Sequence, residues 1–156
     1  MEIIAICSNK GGVGKTTLAL SLASYLKGKC SPCILETDLV GAGPGIPPPL
    51  RFDERGADLH QYLTPLPGSE IRVRDLMRTA SVNGTELSVI TSWVGSSGLP
   101  GEATHPKYGI VELVRTKEAY VLARIEDLLQ ELKAAGVTHC IVDTHPGLVD
   151  MTRIVL

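Results

Sequence analysis

Short apolar segments alternate along this chain with longer segments whose apolar residues recur every three or four positions. Four of the short segments, separated by polar or glycine-bearing stretches, lie at residues 2–8, 33–38, 87–91 and 137–143. Apolar runs of this length are typical of strands, and continuous ones are typical of strands buried on both faces. The pattern therefore predicts four strands.

Helical periodicity is clearest at residues 110–135, where leucine, isoleucine and alanine recur on one side and Gly136 supplies a stop signal. This segment is predicted to form one continuous helix. Glycine and proline clusters between the periodic segments indicate loops. The remaining predicted helices span 16–27, 58–63 and 73–79, and the predicted loops span 41–49 and 93–109.

Strands that alternate with helices predict an α/β fold of three layers, in which a mainly parallel sheet is flanked by helices. The 156 residues are enough for one domain, so we expect a single domain over residues 1–156. A net charge of −2 gives no strong case for nucleic-acid binding. No apolar run reaches the ~20 residues of a transmembrane segment. Without a signal-peptide pattern at its start, the protein is expected to be cytoplasmic.

The segment KGGVGKTT, residues 10–17, follows the first predicted strand and opens the first long helix. Its glycines let successive backbone N–H groups turn toward phosphate oxygens, and the N-terminal dipole of the helix attracts anions. In such a P-loop Lys15 reaches the phosphates, and the Thr16 hydroxyl binds Mg²⁺. The predicted nucleotide-binding residues are Gly11, Gly12, Val13, Gly14, Lys15, Thr16 and Thr17.

Two other predicted strands end in an acidic residue. The strand at 33–38 ends at Asp38, and the strand at 137–143 ends at Asp143. An apolar strand that leads into an aspartate is typical of a Walker B element, whose carboxylate binds a water in the Mg²⁺ shell. Asp143 is therefore a candidate metal-site residue. A carboxylate at Asp38 can orient a water in line with a γ-phosphate.

The run at residues 10–17 resembles the deviant Walker A motif, K-G-G-x-G-K-[ST], of the ParA/MinD superfamily of ATPases. The resemblance implies a protein that binds ATP and Mg²⁺, dimerises through ATP and hydrolyses it slowly. It makes Lys10 the lysine that reaches the partner subunit's nucleotide and Lys15 the lysine of its own site. With Asp38 near the attacking water, these are the candidate catalytic residues. The implied metal-binding residues are Thr16, Asp38 and Asp143.

The chain departs from the family pattern at two positions. Glu36 stands where the family usually has an aspartate, so we expect no direct metal contact from it. His145 replaces the first proline of the family sequence D-T-P-P-G, which makes that loop less constrained. The resemblance covers the N-terminal part of the family fold. The fold is therefore expected to be C-terminally truncated and to lack the segment that recognises the base.

The resemblance implies a positioning, partition or regulatory switch that forms a homodimer and answers to an unidentified protein activator or cargo. Two alternatives remain open: a non-catalytic module that acts through protein contacts, and an ATPase of the iron–sulfur or anion-carrier type. Cys30 and Cys33 form a C-x-x-C pair, which could supply four thiolates only across a dimer. Cys7 and Cys140 fall in predicted buried strands and are expected to be core residues.

Overall fold

The computed structural model describes residues 1–37, 56–65, 67–92, 113 and 116–144. Within these residues the strands are β1 (Glu2–Ile6), β2 (Pro32–Glu36), β3 (Arg78–Val82), β4 (Thr85–Ile90) and β5 (His139–Asp143). The helices are α1 (Lys15–Lys27), α2 (Leu59–Leu63), α3 (Val73–Leu76) and α4 (Glu118–Ala134).

The five described strands form one sheet in the order β1-β5-β2-β4-β3. β1, β5, β2 and β4 are parallel, whereas β3 pairs with β4 in the antiparallel direction. The register places Ile6, Asp143 and Glu36 opposite one another at the carboxyl ends of three adjacent strands. Because loops that leave this edge carry the predicted chemistry, the sheet brings distant parts of the sequence to one place.

Helices cover both faces of the sheet, which confirms the predicted three-layer α/β architecture. Ile34 and Ile141 pack on the α1 side with Ala19 and Ala23 of that helix. The opposite side is the larger core, in which α4 packs on β2 and β5. Its fully buried members include Leu35, Leu128, Leu132, Cys33 and Cys140.

The edge strand β3 was not predicted. The sequence pattern predicts a helix at 73–79, but α3 ends at Leu76 and residues 78–82 pair with β4. Asn83 and Gly84 connect the two strands with positive φ values of 48° and 80°. Such a two-residue connection has the backbone twist that an antiparallel hairpin requires. The sheet therefore has an antiparallel margin beside its parallel centre.

Other boundaries also differ from the predictions. Lys117 has a non-helical backbone (φ −135°, ψ 43°), so the predicted continuous helix over 110–135 is wrong and α4 begins at Glu118. β1 ends at Ile6, and Cys7 is exposed rather than buried. Cys140 is buried, as predicted. The predicted loop at 41–49 lies outside the described residues, and so does the one at 93–109.

Candidate nucleotide-binding site

The loop between β1 and α1 has a backbone that only glycine adopts readily. Gly12 and Gly14 have φ values of 72° and 90°, in the left-handed region. A Cβ atom built at either position would meet no heavy atom within 4 Å, so the glycines serve the backbone conformation and not a tight fit. Gly14 caps α1, and its carbonyl accepts the first helical hydrogen bond from the Leu18 N–H at 2.9 Å.

The N-terminus of α1 is arranged to receive an anion. The helix is described in full, and its first turn has no acidic residue and no capping side chain. Its first N–H groups are therefore not capped by a side chain, and the helix dipole adds attraction for negative charge. A phosphate group at this position would satisfy those donors.

The two predicted catalytic lysines of the loop differ in their surroundings. Lys15 is the first residue of α1, half-buried, and its Nζ donates to Ser8 Oγ at 3.4 Å. Ser8 Oγ in turn donates to the carbonyl oxygen of Lys10 at 2.7 Å. Lys10 itself is exposed. Thus Lys15 lies inside the site, and Lys10 lies on its outer surface.

The structure brings together two of the three predicted metal-site residues. Thr16 Oγ1 donates to Asp143 Oδ2 at 2.5 Å, although the two residues are 127 positions apart in sequence. Asp143 is only 5% exposed. A hydroxyl beside a carboxylate is a donor set that suits Mg²⁺, which takes oxygen ligands and retains several waters. The residues present therefore fit a magnesium ion at this position.

Asp38 and His145 lie outside the described residues, so what was predicted for them stays a prediction. Val13, in the loop, and Thr17, in the first turn of α1, were predicted to bind nucleotide, and both are exposed.

Glu36 is a buried acid that the sequence did not assign to the site. It is 2% exposed, lies opposite Asp143 in the register, and accepts a hydrogen bond from the Ser92 N–H at 3.1 Å. The carboxylate thereby links the end of β2 to the end of β4. The sequence showed that an acidic residue ends this strand. Its neighbours in space, Asp143 and Ser92, became known only from the pairing of the strands.

Two threonines that sequence reasoning missed fasten β5 to its neighbours at the same level. Thr144 Oγ1 donates to the Ile6 carbonyl at 2.8 Å, and Thr37 donates to the Asp143 carbonyl from its N–H at 3.0 Å and its hydroxyl at 3.2 Å. These bonds hold the backbone on either side of the Asp143 carboxylate. They are satisfied within the protein, so their role is to position the site.

The cysteines do not form a second site in the described part of the chain. Cys33 faces the core and is fully buried, and burial raises the pKa of its thiol well above its usual range, with nearby Cys140 contributing. Burial also raises the pKa of Cys140 to about 12. Both thiols are therefore protonated at neutral pH in the folded chain and act as small core residues. Cys30 is half-buried and Cys33 faces the core, so the described structure does not present this C-x-x-C pair as two surface thiols.

The described residues also hold no larger metal-binding cluster and no membrane-spanning helix. Among the residues that the structure describes, there is no group of three His, Cys, Asp or Glu side chains that could hold a metal ion. No helix in the described ranges is long and apolar enough to cross a membrane.

Comparison with known proteins identifies the family. A family model of the ParA type, described as NUBPL iron-transfer P-loop NTPase, matches residues 1–90. The chain belongs to the ParA family of P-loop NTPases. The match includes the whole of the glycine-rich loop and α1, as well as the segment that contains Asp38. No curated protein sequence matched the chain.

Several solved structures share the fold of this chain. Cobyrinic acid a,c-diamide synthase from Mycobacterium smegmatis, with a bound ATP analog and magnesium, is 15% identical with a TM-score of 0.68, and the match covers 100% of this chain and 56% of that one. A variant of McdA from Cyanothece in complex with ATP is also 15% identical, with a TM-score of 0.66, over 99% of this chain and 52% of that one.

Protein DIP2308 from Corynebacterium diphtheriae is 18% identical with a TM-score of 0.68, over 99% of this chain and 55% of that one. At such identities the likeness establishes the fold. This ParA-family chain spans little more than half the length of each of these three relatives.

Proposed function

We propose that this chain binds Mg·ATP at residues 10–17 and acts as a slowly hydrolysing switch of the ParA/MinD type. The observation that carries the proposal is the contact between Thr16 and Asp143, which sets a hydroxyl and a buried carboxylate beside a P-loop whose helix terminus is uncapped. Two relatives with this fold were crystallised with an ATP analog and magnesium or with ATP, which supports the same ligand here.

In this proposal each residue has a separate task. The N–H groups of the loop and the Lys15 ammonium bind the phosphates. Thr16 and Asp143 hold Mg²⁺, which would neutralise the charge that develops on the phosphate oxygens. Asp38 is proposed to complete the metal site and to orient the attacking water. Positioning and charge stabilisation supply the catalysis, without a covalent intermediate.

The exposure of Lys10 favours its proposed role across a dimer. A lysine that served its own site would gain from an inward position such as that of Lys15, whereas Lys10 lies on the outer surface of the loop. ATP would then join two copies, and hydrolysis would separate them. A protein activator or cargo is proposed to bind the ATP-bound dimer and the separated copies with different affinities.

The proposal is tested by titration of Mg·ATP together with measurement of the oligomeric state. We expect Lys15→Ala to weaken Mg·ATP binding, and Lys10→Ala to retain binding while it abolishes ATP-dependent dimerisation and hydrolysis. Lys27→Ala is the matched control, because Lys27 is an exposed lysine in the last turn of the same helix. Equal loss of binding in Lys10→Ala and Lys15→Ala would contradict the cross-dimer role.

A second candidate is a non-catalytic module that acts through protein contacts. It is favoured by apolar side chains on the surface of α1, since Leu18 is 57% exposed and Tyr25 is 65% exposed. Binding of Mg·ATP without turnover, in a dimer or a monomer, would support this candidate over the switch. Turnover that Lys15→Ala abolishes would exclude it.

A further inference from the structure

We propose that Ser8 is a positioning residue that sets both lysines of the glycine-rich loop; this inference rests on the proposed function. Its hydroxyl donates to the Lys10 carbonyl at 2.7 Å and accepts from Lys15 Nζ at 3.4 Å. One side chain just after β1 thus joins the first lysine of the loop to the last.

The two contacts use the two capacities of a hydroxyl group. A serine hydroxyl has one proton to donate and lone pairs to accept with, whereas an ammonium group can only donate. Because the Ser8 proton is directed to the Lys10 carbonyl, a lone pair is left for Lys15. Alanine can make neither bond, and a carboxylate could not donate to the carbonyl.

The contact with Lys15 is long and its acceptor is neutral. A bond of 3.4 Å is weak, and Lys15 makes no ion pair within the described ranges. The ammonium group is therefore kept close to the loop but is released at little cost when a phosphate arrives. An acidic partner at this point would hold Lys15 more strongly and would compete with the phosphate.

The contact with Lys10 has a different consequence. It is short and joins residues two positions apart, so it fixes the backbone where the loop leaves the strand. Lys10 is exposed, and its side chain has no other constraint among the described contacts. The direction in which Lys10 leaves the loop therefore depends on the Ser8 hydroxyl.

The test compares Ser8→Ala and Ser8→Thr with the parent chain. We expect Ser8→Ala to weaken Mg·ATP binding about three- to tenfold, the effect of losing one ordinary net hydrogen bond. Ser8→Thr keeps the hydroxyl and should bind within about twofold of the parent. Ser21→Ala is the matched control, since Ser21 is an exposed serine on α1 whose hydroxyl also donates to a backbone carbonyl, that of Thr17 at 2.8 Å.

A double-mutant cycle with Lys15→Ala separates positioning from general damage. If Ser8 acts through Lys15, then Ser8→Ala should cost much less affinity in the Lys15→Ala background than in the parent. The unfolding temperature of Ser8→Ala without nucleotide should match that of Ser21→Ala. An equal loss of affinity in both backgrounds would overturn the role of Ser8 toward Lys15, and unchanged ATP-dependent dimerisation of Ser8→Ala would overturn its role toward Lys10.

The outcome also distinguishes this inference from the proposed function. A folded parent chain that shows no Mg·ATP binding at millimolar nucleotide would overturn both. A parent that binds Mg·ATP with the same affinity as Ser8→Ala would overturn the role of Ser8 alone and leave the switch intact.

Discussion

The two long helices cover opposite faces of one sheet, yet they pack in different ways. α4 buries Val121, Ile125, Leu128 and Leu132, each no more than 2% exposed. α1 buries only Ala19 and Ala23. α4 thus covers its face of the sheet with large, fully buried side chains, whereas α1 covers the other with two buried alanines and the partly buried Leu20, Leu22 and Leu26.

This difference in packing suggests that the two sides of the sheet contribute differently to stability and to the candidate site. Burial of large aliphatic side chains contributes the most free energy of folding, so the α4 side is the main source of stability. Alanines let α1 lie close to the sheet, and its first turn thereby reaches the carboxyl ends of β1 and β5. The α1 side presents an uncapped helix terminus, where we propose that the nucleotide binds, and it leaves Leu18 and Tyr25 on the surface.

The largest expected effect is on the α4 side. Leu128→Ala should lower the free energy of unfolding by about 2–5 kcal/mol, because it removes a fully buried side chain and leaves a cavity. Urea denaturation measures the loss, and Mg·ATP affinity of the folded fraction should be unchanged. A comparable loss of affinity would show that the two sides are not independent.

A smaller loss of stability is expected beneath α1. Ala19→Leu inserts three carbon atoms where the helix touches the sheet, and overpacking of this kind costs about 1–3 kcal/mol. Because α1 must move away from the sheet, Mg·ATP binding should weaken as well. Ala134→Leu, at an exposed position in the last turn of α4, is the control. Unchanged binding in Ala19→Leu would contradict the close-packing argument.

Alkaline pH should destabilise the α4 side through its thiols. The pKa of Cys140 rises from 9.0 to about 12 on burial. The unfolded chain therefore releases its proton above about pH 9 while the folded chain retains it, and the stabilisation present below pH 9 is lost progressively up to about pH 12. Urea denaturation at pH 8 and pH 10 measures the slope, which Cys140→Ala should reduce. Cys7→Ala, which removes an exposed thiol, is the matched control variant.

The smallest effect is expected on the outer surface of α1. Leu18→Ala should change the free energy of unfolding by less than about 0.5 kcal/mol, because Leu18 is 57% exposed. Thermal unfolding at two protein concentrations measures this. A loss above about 1 kcal/mol that grows with concentration would show that a second copy covers this surface in solution.

Local sequence was enough to predict the parallel centre of the sheet and the glycine-rich loop. Those elements depend on contiguous apolar runs and on a motif of eight residues at 10–17. β3 was missed because its sequence, RTASV, has few apolar residues and its buried Arg78 donates to the Gly56 and Ala57 carbonyls. The signal that could have found it was Asn83-Gly84, a dipeptide that favours tight hairpins.

The site was predictable only where a motif names the residue. The pairing of Thr16 with Asp143 follows from the resemblance to the ParA/MinD superfamily. Thr37, Thr144 and Glu36 take their roles from the register between strands that are far apart in sequence, which periodicity does not specify. Their hydrogen bonds are satisfied by backbone groups that only the assembled sheet supplies.

The strand order has a consequence for synthesis on the ribosome. β5 lies between β1 and β2 in the sheet. β1 can therefore form its strand pairing, which begins with Glu2 opposite His139, only after β5 has been synthesised. At ~5–20 residues per second, translation of the residues between β2 and β5 takes roughly 5–20 s, during which two apolar strands have no central partner. The β3–β4 hairpin, by contrast, closes across a single Asn-Gly turn as soon as it emerges. β1 and β2 are therefore the strands of the nascent chain that remain longest without their central neighbour β5.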